Sequence, residues 1–211
     1  CTSASSRTCS GQVLEQVVKT KCSSTTWRCT VAAVSGWRRW VYRAATLGRK
    51  ARFLGHVQGD EHFWGDACRE RIRYVRNFVF PDINTLRACP WMPYHDTLRP
   101  WVNQWYASSE GGVLDSFLRT VSEENQDRLE AEGGACIMYA HLGKFFRKDG
   151  VVSPRFRQLM ERLAAKGGWF APVSAVLDHI TAQRGEHVLT PRERAALENK
   201  WLWHKLRHGE S

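Results

Sequence analysis

A chain of 211 residues with 43% hydrophobic and 25% charged side chains can build one ordinary domain with its own core, which excludes wholesale disorder. No run approaches the ~18 apolar residues of a membrane-spanning helix, which excludes that class as well. The net charge of +10 is localised: residues 1–58 carry ten Lys/Arg against the single acid Glu15, whereas residues 59–211 carry 21 basic and 20 acidic side chains, so pI alone does not imply nucleic-acid binding by the whole chain.

Residues 1–30 hold twelve Ser/Thr and four of the seven Cys around one short apolar run, Val13–Val18. That composition buries little surface, so the segment reads as poorly ordered or atypical. It lacks the apolar core of a signal peptide and opens on Cys1 without a Met, which reads as a piece of something longer. The cysteines are odd in number, irregular in spacing and without a Cys-x-x-Cys, which argues against a disulfide framework or zinc finger and for a reducing, cytoplasmic setting. Residues 31–58 place Trp37, Trp40, Val41 and Ala44 at helical spacing opposite Arg38, Arg39 and Arg43, a basic amphipathic helix. A solvated basic face and a nucleic-acid or membrane-surface role both fit it.

Residues 59–211 are expected to form an α/β domain. The loop 55–66 before and within it is dense in ligand-type side chains: His56, Asp60, Glu61, His62 and Asp66. His56, Asp60 and His62 supply three N/O ligands that, with water, suit a catalytic zinc if the loop folds back on itself; a solvated polar loop is the alternative. Tyr74–Phe80, rich in aromatic and β-branched residues, predicts a strand, and Pro81–Asn84 a turn. The prolines between Cys89 and Pro100 forbid a regular helix or central strand and leave a rigid, aromatic-rich loop with Trp91 and Tyr94. Val102–Ala107 predicts a second strand.

Leu114, Phe117, Leu118 and Val121 begin a helical stripe expected to run to about Glu132, where Gly133-Gly134 stops it. Ala135–Ala140 is a continuous apolar run, the pattern of a strand buried on both faces, with His141 at its C-terminal end and Cys136 read as a small buried hydrophobe. Phe156, Leu159, Met160 and Leu163 give the next helix. Trp169–Val173 reads as a short strand, Ser174 as the cap of a helix through Ile180, and Thr190-Pro191-Arg192-Glu193 as a capping box opening a last helix to about Leu206. Alternating strands and helices favour parallel pairing with right-handed crossovers. In such sheets ligands bind at the C-terminal ends of strands, which singles out His141 and the segment ending in Glu110 as candidate acid or base groups.

The run from Gly134 to His141, the helix with Phe156 and Leu159-Met160, and Gly168 to Leu177 together resemble the end of a polysaccharide deacetylase domain of the nodulation type. The resemblance covers residues 100–180, extending in a deacetylase-like subgroup over 55–211. It implies a distorted or incomplete (β/α) barrel and a hydrolase of amide-linked acyl groups on carbohydrate. It also implies a divalent metal such as zinc held by Asp and two His, an Asp base, and His141 as the acid that protonates the leaving amine. The family's Thr-Phe-Asp-Asp-Gly-type motif is absent, with no Asp-Asp pair anywhere. Trp91-Met92-Pro93-Tyr94 echoes an Arg-x-Pro-Tyr motif with Trp in place of Arg. His204 and His208 have the family's His-x-x-x-His spacing but stand out of order, and are read as a surface pair. Either the motif-bearing half lies outside this chain or the site is rebuilt, with Glu110 as the carboxylate base.

Three functions therefore stand open. One is a carbohydrate-active deacetylase, with Trp91, Tyr94 and Trp105 stacking on sugar or on an N-acylated substrate. The second is a silent glycan-binding or regulatory relative. The third is a nucleic-acid-associated protein working through the basic N-terminal quarter. An incomplete barrel would expose a sheet edge and invite homo-oligomers.

Overall fold

The computed structural model describes residues 36–45, 58, 63–143 and 145–208, and the chain divides into two compact units, Cys1–Leu54 and Gly55–Ser211. In the first unit the described element is helix α1 (Trp37–Ala45). Its expected apolar stripe is exposed at Trp37, Trp40 and Val41, and Tyr42 is its buried side chain.

The second unit is mixed α/β. Helix α2 (Gly65–Arg71) leads into strand β1 (Tyr74–Phe80), which pairs in parallel with β3 (Gln104–Ser109). The register runs Tyr74↔Gln104, Val75↔Trp105 and Arg76↔Tyr106, then slips to Val79↔Ser108 and Phe80↔Ser109. The extra β1 residue is a bulge, which re-aims side chains locally. There the Asn77 amide donates to the buried Tyr94 hydroxyl across 3.1 Å. Between these strands lie the one-turn helix α3 (Thr85–Ala88) and β2 (Tyr94–His95), antiparallel to β3 at Tyr94↔Trp105. Strand β6 (His187–Val188) joins β2 in parallel, giving the order β1-β3-β2-β6. Among the described residues the sheet is therefore open and its pairing mixed, where alternation of strands and helices predicted parallel pairing.

The helical stripe from Leu114 is two helices, α4 (Leu114–Thr120) and α5 (Glu123–Ala131). Ser122 breaks it, because its hydroxyl accepts from the Asn125 amide and restarts the helix as an N-cap. A hairpin, β4 (Arg147–Lys148) and β5 (Val151–Val152), precedes α6 (Pro154–Ala165), which is capped by Ser153 with Pro at its first position. Phe117, Phe146 and Phe156 meet in pairs with centroids 5.2–5.3 Å apart, tying α4, the hairpin and α6 into one cluster. Buried Gln126 donates to the carbonyls of Val121 and Leu159, both at 3.0 Å, so α5 and α6 share a satisfied polar contact.

Three strand expectations need correction. The proline-rich stretch, expected to exclude a central strand, forms β2 at Tyr94–His95 between β3 and β6, short enough to fit between Pro93 and Pro100. Residues 135–140 contribute an isolated parallel bridge, Ser109↔Met138, instead of a full strand, and Cys136 is half-buried. Trp169–Val173 is not a strand: Trp169 and Phe170 are exposed, because no neighbouring backbone offers them a ladder among the described residues. The helix that follows, α7 (Val173–Arg184), starts at Pro172, and Ser174 does not cap it. The last helix, α8 (Pro191–His208), opens as its sequence requires. The Thr190 amide donates to the Glu193 carboxylate at 2.9 Å and the Glu193 amide to the Thr190 hydroxyl at 3.3 Å. Its Trp201 is fully buried, 6.3 Å from the Phe78 ring. No described helix is long and apolar enough to cross a membrane.

Beside this apolar face α8 carries buried charge. Arg194 donates twice to one oxygen of Asp96, at 2.9 and 2.6 Å, and Arg99 pairs with the other. Glu198 lies 3.9 Å from Arg99, and both Asp96 and Glu198 are inaccessible to solvent. The proline-rich loop is thus pinned to α8 by charge as well as by packing.

Candidate active site

Three chain segments converge where β1 and β3 end. The Glu110 amide donates to the Phe80 carbonyl at 2.8 Å, closing the β1/β3 ladder. Ser109 then reaches the other way: its amide donates to Ile137 at 2.7 Å and its carbonyl accepts from Tyr139 at 3.2 Å. Thr85 locks the junction from below, its hydroxyl 2.7 Å from that of Ser109 while accepting from the Ile137 amide at 2.9 Å. The result sets Glu110 at one strand end and the 139–141 segment at its neighbour.

That approach needs a residue without a side chain. A Cβ on Gly111 would stand 2.5 Å from the Met138 sulfur and 2.9 Å from the Tyr139 carbonyl oxygen, the latter fixed backbone. Gly111→Ala is expected to cost about 1–3 kcal/mol by overpacking and to lower the melting temperature. Gly112→Ala, whose Cβ would meet the Tyr139 ring at 3.3 Å, is expected to be milder. A Gly111→Ala protein that melts like the wild type would contradict this packing.

His141 is half-buried, and its Nε2 shares a short hydrogen bond with the Tyr139 hydroxyl. The two rings meet edge to face, centroids 4.8 Å apart, so Tyr139 fixes the tilt of the imidazole. Glu110 faces α8, its carboxylate 3.4 Å from Nε2 of His204. Burial works to raise the Glu110 carboxyl, but the hydrogen bond from His204 and the charge of Lys205, then of Arg119, hold it below the usual glutamate range. Glu110 is therefore a stable anion, suited to orienting and charge-balancing His204. The expectation that His204 is half of a surface pair is overturned: only 10% of its side chain is exposed, because α8 turns it onto Glu110.

The expected aromatic platform is divided by burial. Trp91 is half-buried, whereas Tyr94 and Trp105 lie in the core with 1% and 4% exposure and offer no ring face to a sugar. They pair across β2 and β3, and the period-two alternation that makes a strand turns Trp105 inward. Sequence reasoning missed Tyr139, Arg76 and the catalytic potential of His204. Tyr139 was within reach, since residues two apart on an extended segment share a face and Tyr139 precedes His141 by two.

The ligands proposed for a metal, His56, Asp60 and His62, lie outside the described residues. Among the described residues no three His, Cys, Asp or Glu side chains come together as a metal would require. Two His–carboxylate pairs stand among the described residues, Glu110 with His204 at 3.4 Å and Glu193 with His187 at 3.0 Å. The described cysteines are no substitute nucleophiles: burial pushes the Cys68 and Cys89 thiols up to about 12 and that of Cys136 to about 11. Comparison of the chain with protein-family models, curated proteins and solved structures finds no match.

Proposed function

We propose that the chain is a polysaccharide deacetylase-like hydrolase that cleaves the carbon–nitrogen bond of an amide-linked acyl group on a carbohydrate, built on an incomplete barrel of that family's type. One observation carries the reading: His141, braced by Tyr139, stands just past the segment that pairs in parallel with the end of β3, where Glu110 begins its pairing with His204. An acid and a carboxylate–imidazole pair at adjoining strand ends are the components that amide hydrolysis asks for. Water adds to the acyl carbon, giving up its proton to His204, whose imidazolium Glu110 stabilises. The carbon–nitrogen bond then breaks as His141 hands a proton to the departing nitrogen, so a carboxylic acid and a free amine leave. Without that proton an amide anion would have to depart, which is why the acid matters most.

The lowered pKa of Glu110 favours a second reading, glycan binding without turnover, because a carboxylate held as a stable anion is a weak base by itself. The two readings separate when the full chain is incubated with an oligomer of N-acetylglucosamine and both binding and acetate release are followed. Acetate appearing together with an equal amount of free amine is the expected result. Binding with no release selects the second reading, and absence of both overturns the carbohydrate assignment.

A further inference from the structure

We propose that Arg76, laid on the Tyr139 ring beside His141, is a carboxylate-reading subsite, so that the carbohydrate bound here is an acidic sugar. The inference rests on the carbohydrate reading above and names its substrate class. The Arg76 guanidinium carbon sits 3.7 Å from the centroid of the Tyr139 ring, a close cation–π contact. The residue is half-buried, yet among the described residues it has no carboxylate partner and no hydrogen bond. Arg73 and Arg87 are, by contrast, both paired with acids, Asp178 for the first and Asp82 with Glu132 for the second. A guanidinium withdrawn from water without a counter-anion is costly, and a bound anion removes that cost.

The position is set by the fold. Arg76 is the register partner of Tyr106, and alternation along β3 puts Tyr106, Ser108 and Glu110 on one face. The Tyr106 phenol registers the cation: burial pushes it up and Arg76 pulls it back. Ser108 is 1% exposed and its hydroxyl has no hydrogen-bond partner, an unspent polar group in the same row. Tyr139 joins this row to the proton donor, since its ring carries Arg76 and its hydroxyl holds His141.

The geometry selects a carboxylate over a phosphate. With one face covered by Tyr139, the guanidinium presents its in-plane fork of N–H groups, which matches two carboxylate oxygens. Arg76 is the one described cation on this ring, so the site balances a single negative charge instead of the two of a phosphate monoester.

The test is a titration of the full chain, followed by NMR or calorimetry, with methyl glucuronide, methyl glucoside, acetate and inorganic phosphate. The glucuronide is expected to bind about tenfold or more tighter than the glucoside, as for a hydrogen bond to a charged group. Arg76→Gln should erase that preference, and Arg76→Lys should restore only part of it, because an ammonium lacks the planar fork. Equal binding of the two sugars overturns the subsite and leaves the carbohydrate reading standing. Acetate binding as tightly as glucuronide, with no affinity for glucoside, overturns the sugar assignment itself. Tighter binding of phosphate than of any carboxylate also overturns the proposal. The wild-type comparison decides these outcomes even if Arg76→Gln fails to fold.

Discussion

Asp96→Asn is expected to remove about 3–5 kcal/mol of stability, a large part of what a domain of this size holds. The substitution preserves shape and deletes charge at the hub of a buried network. Arg99 and Arg194 both reach Asp96, and the side chains of all three are at least nine-tenths buried. With an amide in its place the two guanidinium groups lose the anion they share, while Glu198 stays 3.9 Å from Arg99. Because the network clamps the loop after β2 onto α8, its loss is expected to loosen the register of β2 and β6 as well. Urea unfolding followed by Trp fluorescence measures the effect, and a loss below about 1 kcal/mol would contradict it. The same group sets an acid limit. Burial works to raise the Asp96 carboxyl, but Arg99 and then Arg194 hold it below the usual aspartate range. A depressed native value means the stabilisation is complete above the ordinary aspartate pKa, about 3.9, and disappears as pH falls through the lower native value. Asp96→Asn should therefore flatten the acid limb of the stability profile.

His141→Ala is expected to lower amide hydrolysis by about 10²- to 10⁴-fold, the range that a positioned proton donor contributes. Tyr139→Phe keeps the ring under Arg76 and removes only the hydroxyl that holds Nε2, so it should lower the rate by less and shift its pH dependence. Neither change removes a core contact of the Phe78–Trp201 or Phe117–Phe146 clusters, and both proteins should melt within a few degrees of the wild type. A His141→Ala protein with undiminished activity would remove His141 from the chemistry.

Local patterns made some elements legible from sequence and hid others. Strand β1 declares itself through its aromatic and β-branched run, α6 through Phe156, Leu159, Met160 and Leu163, and α8 through the Thr190–Glu193 box, because each signal lies within a few residues of the structure it creates. The break at Ser122 was also written locally, as a cap followed by Glu123 and Glu124 in a first turn, but the apolar stripe from Leu114 to Val121 runs up to it and masks it. Trp169–Val173 has strand composition without a strand, since a ladder depends on a partner that composition cannot supply. The Asp96–Arg99–Arg194–Glu198 network joins residues about a hundred apart and leaves no periodic trace.

The candidate site divides the same way. His141 and Glu110 follow from the rule that chemistry gathers at the C-terminal ends of parallel strands. The pairing of Glu110 with His204 does not, because it depends on how α8 crosses that end of the sheet. Tyr94 and Trp105 were legible as aromatics, and only the register of β2 against β3 reveals that they are core.

The central claim, that His141 donates a proton to a leaving amine, is tested most directly by changing the leaving group. Wild type and His141→Ala are compared on an N-acetylated amino sugar and on an activated acetyl ester such as p-nitrophenyl acetate, whose leaving group departs without a proton. The account predicts a loss of about 10²-fold or more on the amide and little change on the ester. Equal losses on both substrates would contradict it and reduce His141 to a residue that merely holds the site together.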